Sequence, residues 1–355
     1  MPMSQSNARV LFVPVSGPRG MGEYARCLGL ATALAQRTPA LDIRFVLSRE
    51  APYAAHTPFA TTLLPASATF HPREVCALIR EYRPQLVVFD NAGRTVQLRA
   101  ARACGARIVY VSSRRRQRSR GFRLGWMRLI DEHWIAYPRF IAGAPTRLER
   151  LKLQLLGRPH LRYIDALLPP AEPARAAAAR ARFALEPDEY VLIVPGGGSA
   201  HPGAENAPAV IATAARAIAS RGHATLLVGT GAAAAAAEPS LLKLEARLPL
   251  ADLCELIRSA RLVVTNGGDT LLQVLACARP CVAVPIAHDQ AARIDSCVRA
   301  GLTARAALEA HAIERAALEV LEKVPPQTRA HPVAEGAQVR NCMEEALDAL
   351  QALIP

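Results

Sequence analysis

Apolar positions along the chain fall into short continuous runs and stretches that repeat every three to four residues. In the first half the runs Arg9–Val15, Ile43–Leu47, Leu86–Phe89 and Arg107–Val111 predict strands. Helical spacing between them predicts helices over about Glu23–Gln36, Pro72–Tyr82 and Thr95–Cys104. His133 and Trp134, in DEHWIAYP, read as a further strand entering the sheet. Continuous runs separated by helices mark parallel strands buried on both faces. The proline-rich stretch Leu167–Ala174 (LLPPAEPA) and the alanine/arginine helix Arg175–Phe183 interrupt the pattern. Alternation restarts with strands Tyr190–Val194, Thr225–Val228, Leu262–Thr265 and Cys281–Val284. Helices Ala207–Ser220, Ala251–Ser259, Thr270–Cys277 and Ala291–Ala300 lie between and after them. The alanine run after Gly231 predicts a helix start, and Gln338–Leu353 a final helix. Each half is thus an open α/β layer with right-handed crossovers, binding ligands beyond the carboxyl ends of its strands.

The chain has 355 residues, 51% hydrophobic and 21% charged. That suffices for two cores and excludes wholesale disorder. No apolar run approaches the ~18–20 uncharged residues of a membrane-spanning helix. The N-terminus, MPMSQSNARVLFVPV, has no basic region leading into a long apolar stretch, so a cytoplasmic location is expected. The eight cysteines form no C-x-x-C pair and have no zinc spacing; they read as reduced, mostly buried thiols, and no metal or cofactor is expected.

The net charge is +13, and the sixteen basic and three acidic residues between Arg99 and Arg162 carry an excess as large. There Arg114–Arg116, Arg118, Arg120 and Arg123 lie beside Phe122, Leu124, Trp126, Met127 and Ile130. Basic residues beside apolar ones fit a surface helix on anionic lipid, so peripheral membrane contact through 114–130 is expected. The alternative is a solvated arginine loop beside a core-facing helix. No aromatic stacking platform accompanies the arginines, so no nucleic-acid partner is expected.

Polar or glycine-rich segments recur where predicted strands end. Ser16–Gly22 (SGPRGMG) follows the first strand; its G-x-x-G-x-G spacing is neither the dinucleotide fingerprint nor a P-loop. Gly196–Ser199 (GGGS), Asn266–Thr270 (NGGDT) and His288–Gln290 (HDQ) follow strands of the second half, with Thr270 placed to help cap its helix. Backbone N–H groups and helix N-termini at such loops favour an anion. Three of them at one end of one sheet point to an anion carrying hydroxyls, such as a sugar nucleotide. His201 could reach a phosphate or simply be exposed. Asp90 ends a predicted strand of the first half.

The stretch Ala251–Gln290 (ADLCELIRSARLVVTNGGDTLLQVLACARPCVAVPIAHDQ) resembles the donor-binding domain of GT-B nucleotide-sugar glycosyltransferases. The nearest branch is that of the lipid II-forming N-acetylglucosaminyltransferase and the UDP-sugar hydrolase of pseudaminic acid synthesis. Gly20–Ala31 (GMGEYARCLGLA) resembles that hydrolase's glycine–His–Arg segment, and Arg83–Asp90 fits R-P-x-L-V-V-x-D. The resemblance is interrupted around Ala51–His71 and Ser112–Ala144.

It implies an α/β protein of two Rossmann-like parallel-sheet domains facing a cleft. An acceptor domain would span 1–166, a linker and leading helix 167–183, and a donor domain 184–337. A C-terminal helix over 338–355 would pack back on the first domain. The implied activity is inverting, metal-independent transfer of a sugar from a UDP-linked donor to an acceptor glycan or lipid-linked sugar. Gly197, Gly198 and Ser199 would contact the diphosphate, and Gly267, Gly268, Asp269 and Thr270 would face the phosphates. Asp289 and Gln290 would bond sugar hydroxyls, and Leu253–Ile257 would lie near the nucleobase. Gly20, Gly22 and Arg26 would form an acceptor or phosphate loop. Two positions depart from the pattern. Glu23 stands where the family carries a histidine thought to be a base, so Glu23, together with Asp90, is the candidate general base; Gln273 stands where many relatives grip the ribose diol with an acidic residue. A UDP-sugar hydrolase and a non-catalytic sugar-nucleotide-binding protein are the alternatives.

Overall fold

The computed structural model describes residues 7–18, 20–196, 204–229, 239–325 and 337–354. The chain divides into two compact units, one of Met1–Leu167 with Cys342–Pro355, the other of Leu168–Asn341.

The first unit opens with β1 (Arg9–Pro14), α1 (Gly22–Arg37), β2 (Asp42–Ser48), β3 (Ala60–Leu64), α2 (Pro72–Tyr82), β4 (Leu86–Asp90) and α3 (Thr95–Ala103). It continues with β5 (Arg107–Ser112), α4 (Arg115–Gly121), α5 (Leu124–Met127), β6 (Glu132–Ile135), α6 (Arg139–Ala142), α7 (Arg147–Leu156) and β7 (His160–Tyr163). The strands form one parallel sheet in the order β3-β2-β1-β4-β5-β6-β7. Every residue of β4 is buried, because helices cover both faces of the sheet. Leu30 and Leu34 of α1 pack on one face with Phe12 and Phe45, and Val75, Ile79 and Leu98 of α2 and α3 pack on the other. The edge strands β3 and β7 escape a reading based on apolar runs. Each lacks a neighbouring strand on one side and is poorly covered: β3 has one buried residue and β7 none.

The second unit comprises α8 (Pro173–Ala181), β8 (Tyr190–Val194), α9 (Ala207–Ser220), β9 (Ala224–Val228), β10 (Leu242–Glu245) and α10 (Leu250–Ser259). It goes on with β11 (Leu262–Asn266), α11 (Asp269–Ala276), β12 (Cys281–Val284), α12 (His288–Arg299), β13 (Ala304–Arg305) and α13 (Ala310–Lys323). Its sheet is also parallel, in the order β10-β9-β8-β11-β12-β13. Ile211, Ile218, Ile313 and Leu321 from α9 and α13 bury one face. The helix α8 docks on α10 through Arg175 and Asp252 at 2.9 Å. Four helices of this unit begin earlier than their apolar spacing predicts, α8 at Pro173, α10 at Leu250, α11 at Asp269 and α12 at His288. His288–Gln290 form the first turn of α12 rather than a loop. The alanine run lies outside the described residues.

The last helix, α14 (Met343–Leu353), belongs to the first unit. Met343, Ala346, Leu347 and Leu350 are buried in the same cluster as Leu30 and Leu34. Gln351 Nε2 donates to Thr38 Oγ1 at 2.9 Å, and Arg37 pairs with Asp348 at 2.7 Å.

Candidate functional site

Open α/β sheets bind ligands beyond the strand ends, where adjacent strands send their connections in opposite directions. In the first unit that point lies between β1 and β4, and in the second between β8 and β11.

At the first point, the loop Ser16–Gly22 leads from β1 into α1. The N-cap Met21 gives that helix no side-chain hydrogen bond, and Gly22 is its first residue; Gly20 is exposed. Glu23 sits in the first turn, 13% exposed, where the helix dipole favours its charge. Asn91, just past β4, donates from Nδ2 to Glu23 Oε1 at 2.9 Å and accepts at Oδ1 from the Ser113 N–H at 2.9 Å. Arg114 lies 3.6 Å from the same Glu23 oxygen. Asn91 has φ 52°, a left-handed conformation that Asn tolerates better than most residues. Sequence reading missed Asn91, Ser113 and Arg114 as a group. The only sign of it was an Asn immediately after a buried strand.

Asp90 behaves differently. It is fully buried, and its oxygens accept from Arg26 Nε at 2.7 Å and Arg26 NH2 at 3.0 Å. The Cys27 thiol lies 3.8 Å from Oδ2, and burial pushes it well above its ordinary pKa. Asp90 thus exposes no oxygen to solvent, and the Arg26 guanidinium is held by Asp90.

At the second point, Asn266 is the central residue. It is buried; its Nδ2 donates to the Pro195 carbonyl at 2.7 Å and its Oδ1 accepts from the Gly268 N–H at 2.8 Å. The Gly267 N–H donates to Gln290 Oε1 at 3.3 Å, and the Gly267 carbonyl accepts from Arg293. Gln290 Oε1 also accepts from the Ile286 N–H at 3.0 Å. Buried Gln290 thus braces two strand ends, those of β11 and β12. Gly268 is the N-cap of α11 and supplies no side chain, so Thr270, the second helical residue, is not the cap. Asp269 and Thr270 are half-buried in the first turn, and Gln273 is half-buried a turn later. Asp289 is exposed and pairs with Arg293 at 3.3 Å. Leu253 is half-buried on α10. Gly197, Gly198, Ser199 and His201 lie outside the described residues.

The basic segment is organised differently from its expected form. Phe122, Trp126, Met127 and Ile130 are buried, so the apolar residues of 114–130 face the core, except for Leu124 at 47% exposure. The exposed apolar residues lie instead on α7, where Leu148, Leu151 and Leu155 occupy one stripe. Among the described residues, no cluster of three or more His, Cys, Asp or Glu side chains could hold a metal ion, and no helix is long and apolar enough to cross a membrane.

No protein-family model and no curated protein sequence matches the chain. Solved structures do. The glycotransferase of kitacinnamycin is 16% identical with a TM-score of 0.59, over 98% of this chain and 100% of that one. The Arabidopsis thaliana protein UGT89C1, solved with UDP, is 15% identical with a TM-score of 0.61, over 97% of this chain and 100% of that one. A Listeria monocytogenes protein described as a UDP-N-acetylglucosamine 2-epimerase is 12% identical with a TM-score of 0.58, over 98% of this chain and 96% of that one. The likeness is one of architecture, and by it the chain has the fold of the GT-B superfamily.

Proposed function

We propose that the chain is a glycosyltransferase that moves a sugar from a UDP-linked donor to an acceptor hydroxyl with inversion. The observation that carries this reading is the second unit's switch point. There a braced Gly-Gly turn leads into the N-terminus of α11, whose N-cap Gly268 has no side chain to stand before it, an arrangement suited to a diphosphate. Similarity to a protein solved with UDP supports the same ligand. The second unit holds the donor, and the first supplies the acceptor site and the base. Glu23, half-buried and fixed by Asn91, takes the acceptor's proton. The acceptor oxygen bonds the anomeric carbon as the bond to the diphosphate breaks. The nucleoside diphosphate departs with that electron pair toward the N-terminus of α11.

The first unit's surface favours an acceptor presented at an anionic membrane. All three acidic residues between Arg99 and Arg162 are tied up: Asp131 by Arg102, Arg107 and Arg158, Glu132 by Arg162, and Glu149 by Arg118. Exposed Arg115, Arg116, Arg123, Arg147 and Arg150 remain near the leucine stripe of α7 in sequence, and both signals suit anionic lipid.

Phosphorus NMR of the chain with a panel of UDP- and TDP-sugars tests the reading. Donor-specific broadening without cleavage, followed by turnover once an acceptor is supplied, is the expected result. Rapid release of nucleoside diphosphate without an acceptor would favour a hydrolase, binding without turnover under any acceptor a silent binder. No response to any donor would end the nucleotide-sugar reading.

A further inference from the structure

We propose that Asn266 is a positioning residue that locks the diphosphate loop in its binding shape, a role that rests on the donor reading above. Its side-chain amide joins two loops that come from different strands, Pro195 after β8 and Gly268 after β11. Both polar atoms of the amide are used and the residue is buried, so Asn266 offers a ligand little of its own. What it does is fix the direction of the peptides around it.

The glycines fit this role. A Cβ on Gly196 would overlap the Asn266 amide nitrogen, and a Cβ on Gly268 would stand 2.8 Å from its Oδ1. Gly268 has φ −85°, a conformation open to any residue, so it is the Asn266 side chain, not the backbone, that demands glycine there. Gly267 is held on both sides, its N–H by Gln290 and its carbonyl by Arg293. The Asn266–Gly268 segment is therefore fixed through side chains of β11 and α12, and the first turn of α11 is presented without rearrangement. Preorganised backbone donors act on charge, so the lock serves the β-phosphate more than the nucleoside.

The test is calorimetric titration of the full chain with UDP and with UMP, and likewise with TDP and TMP. The variants are Asn266→Ala, Gly268→Ala and their combination. Asn266→Ala is expected to weaken the diphosphate about tenfold or more and the monophosphate less than about threefold. Gly268→Ala should cost the diphosphate a similar factor in the parent chain. It should cost much less beside Asn266→Ala, because the atom it clashes with is gone. Equal losses for mono- and diphosphate in Asn266→Ala, or losses that simply multiply in the double variant, would overturn the role while leaving donor binding intact. A parent chain that binds none of the four nucleotides would overturn the donor reading and this role with it.

Discussion

Two carboxylates at the first switch point illustrate how position decides chemistry. Sequence placed Glu23, at the resembled family's histidine position, and Asp90, at a strand end, on nearly equal terms. Burial separates them. Glu23→Gln should lower turnover by ~10²–10⁴ while costing about 1 kcal/mol of stability from the lost charge at the helix N-terminus, checked by kcat and urea unfolding on the same preparation. Asp90→Asn leaves the Arg26 charge without its partner, and should destabilise by about 3–5 kcal/mol. If Asp90→Asn unfolds like the parent but loses turnover, the base has been assigned to the wrong residue. His133 offers a test by pH. It is fully buried, its Nε2 is 2.8 Å from Ser112 Oγ, and burial, assisted by Arg118, pushes its pKa down to about 3. Below its ordinary value of 6.5 the unfolded chain takes a proton that the folded chain refuses, so stability falls as the pH drops toward 3. Between pH 7 and 5 the parent should lose about 2 kcal/mol more than His133→Phe, read from urea midpoints.

Among the elements, those with two buried faces were legible and those with one were not. The runs forming β1, β4, β8 and β11 read directly because nearly all their positions are apolar. By contrast β10, with Lys243 exposed in LKLE, and the two-residue β13 carry no such run. The site followed the same division. The glycine loops could be placed from sequence, but the bonds of Asn91 and Asn266 join residues far apart in the chain, which spacing does not reveal. The helix α7 was missed because its leucines face outward, so no packing partner in the sequence marked it. It stands by its own capping box, with Glu149 N–H donating to Thr146 Oγ1 at 3.2 Å. Replacing Leu148, Leu151 and Leu155 by Ser should abolish sedimentation with phosphatidylglycerol vesicles at low salt without lowering the melting temperature. Equal recovery of the parent chain with phosphatidylcholine vesicles would rule out an anionic-lipid surface.

At the scale of the molecule, two similar sheets are assembled from unequal stretches of chain. The second unit is continuous, whereas the first needs two separate stretches, Met1–Leu167 and Cys342–Pro355. Leu347→Ala, in the helix that completes the first unit, should therefore cost about 2–5 kcal/mol, measured by urea unfolding. Protease susceptibility should rise within Met1–Leu167 rather than within Leu168–Asn341. The same arrangement sets a timetable on the ribosome. The first unit emerges before the second, yet the face of α1 that shares a core with α14 stays uncovered until Met343–Leu353 has been made. The later unit has all its residues before that point and can close first. Completion thus runs against the order of synthesis, and while the second unit is being made the nascent chain carries an uncovered apolar face of α1 for chaperones to shield. A premature stop within the final helix would damage the part of the protein that was made first.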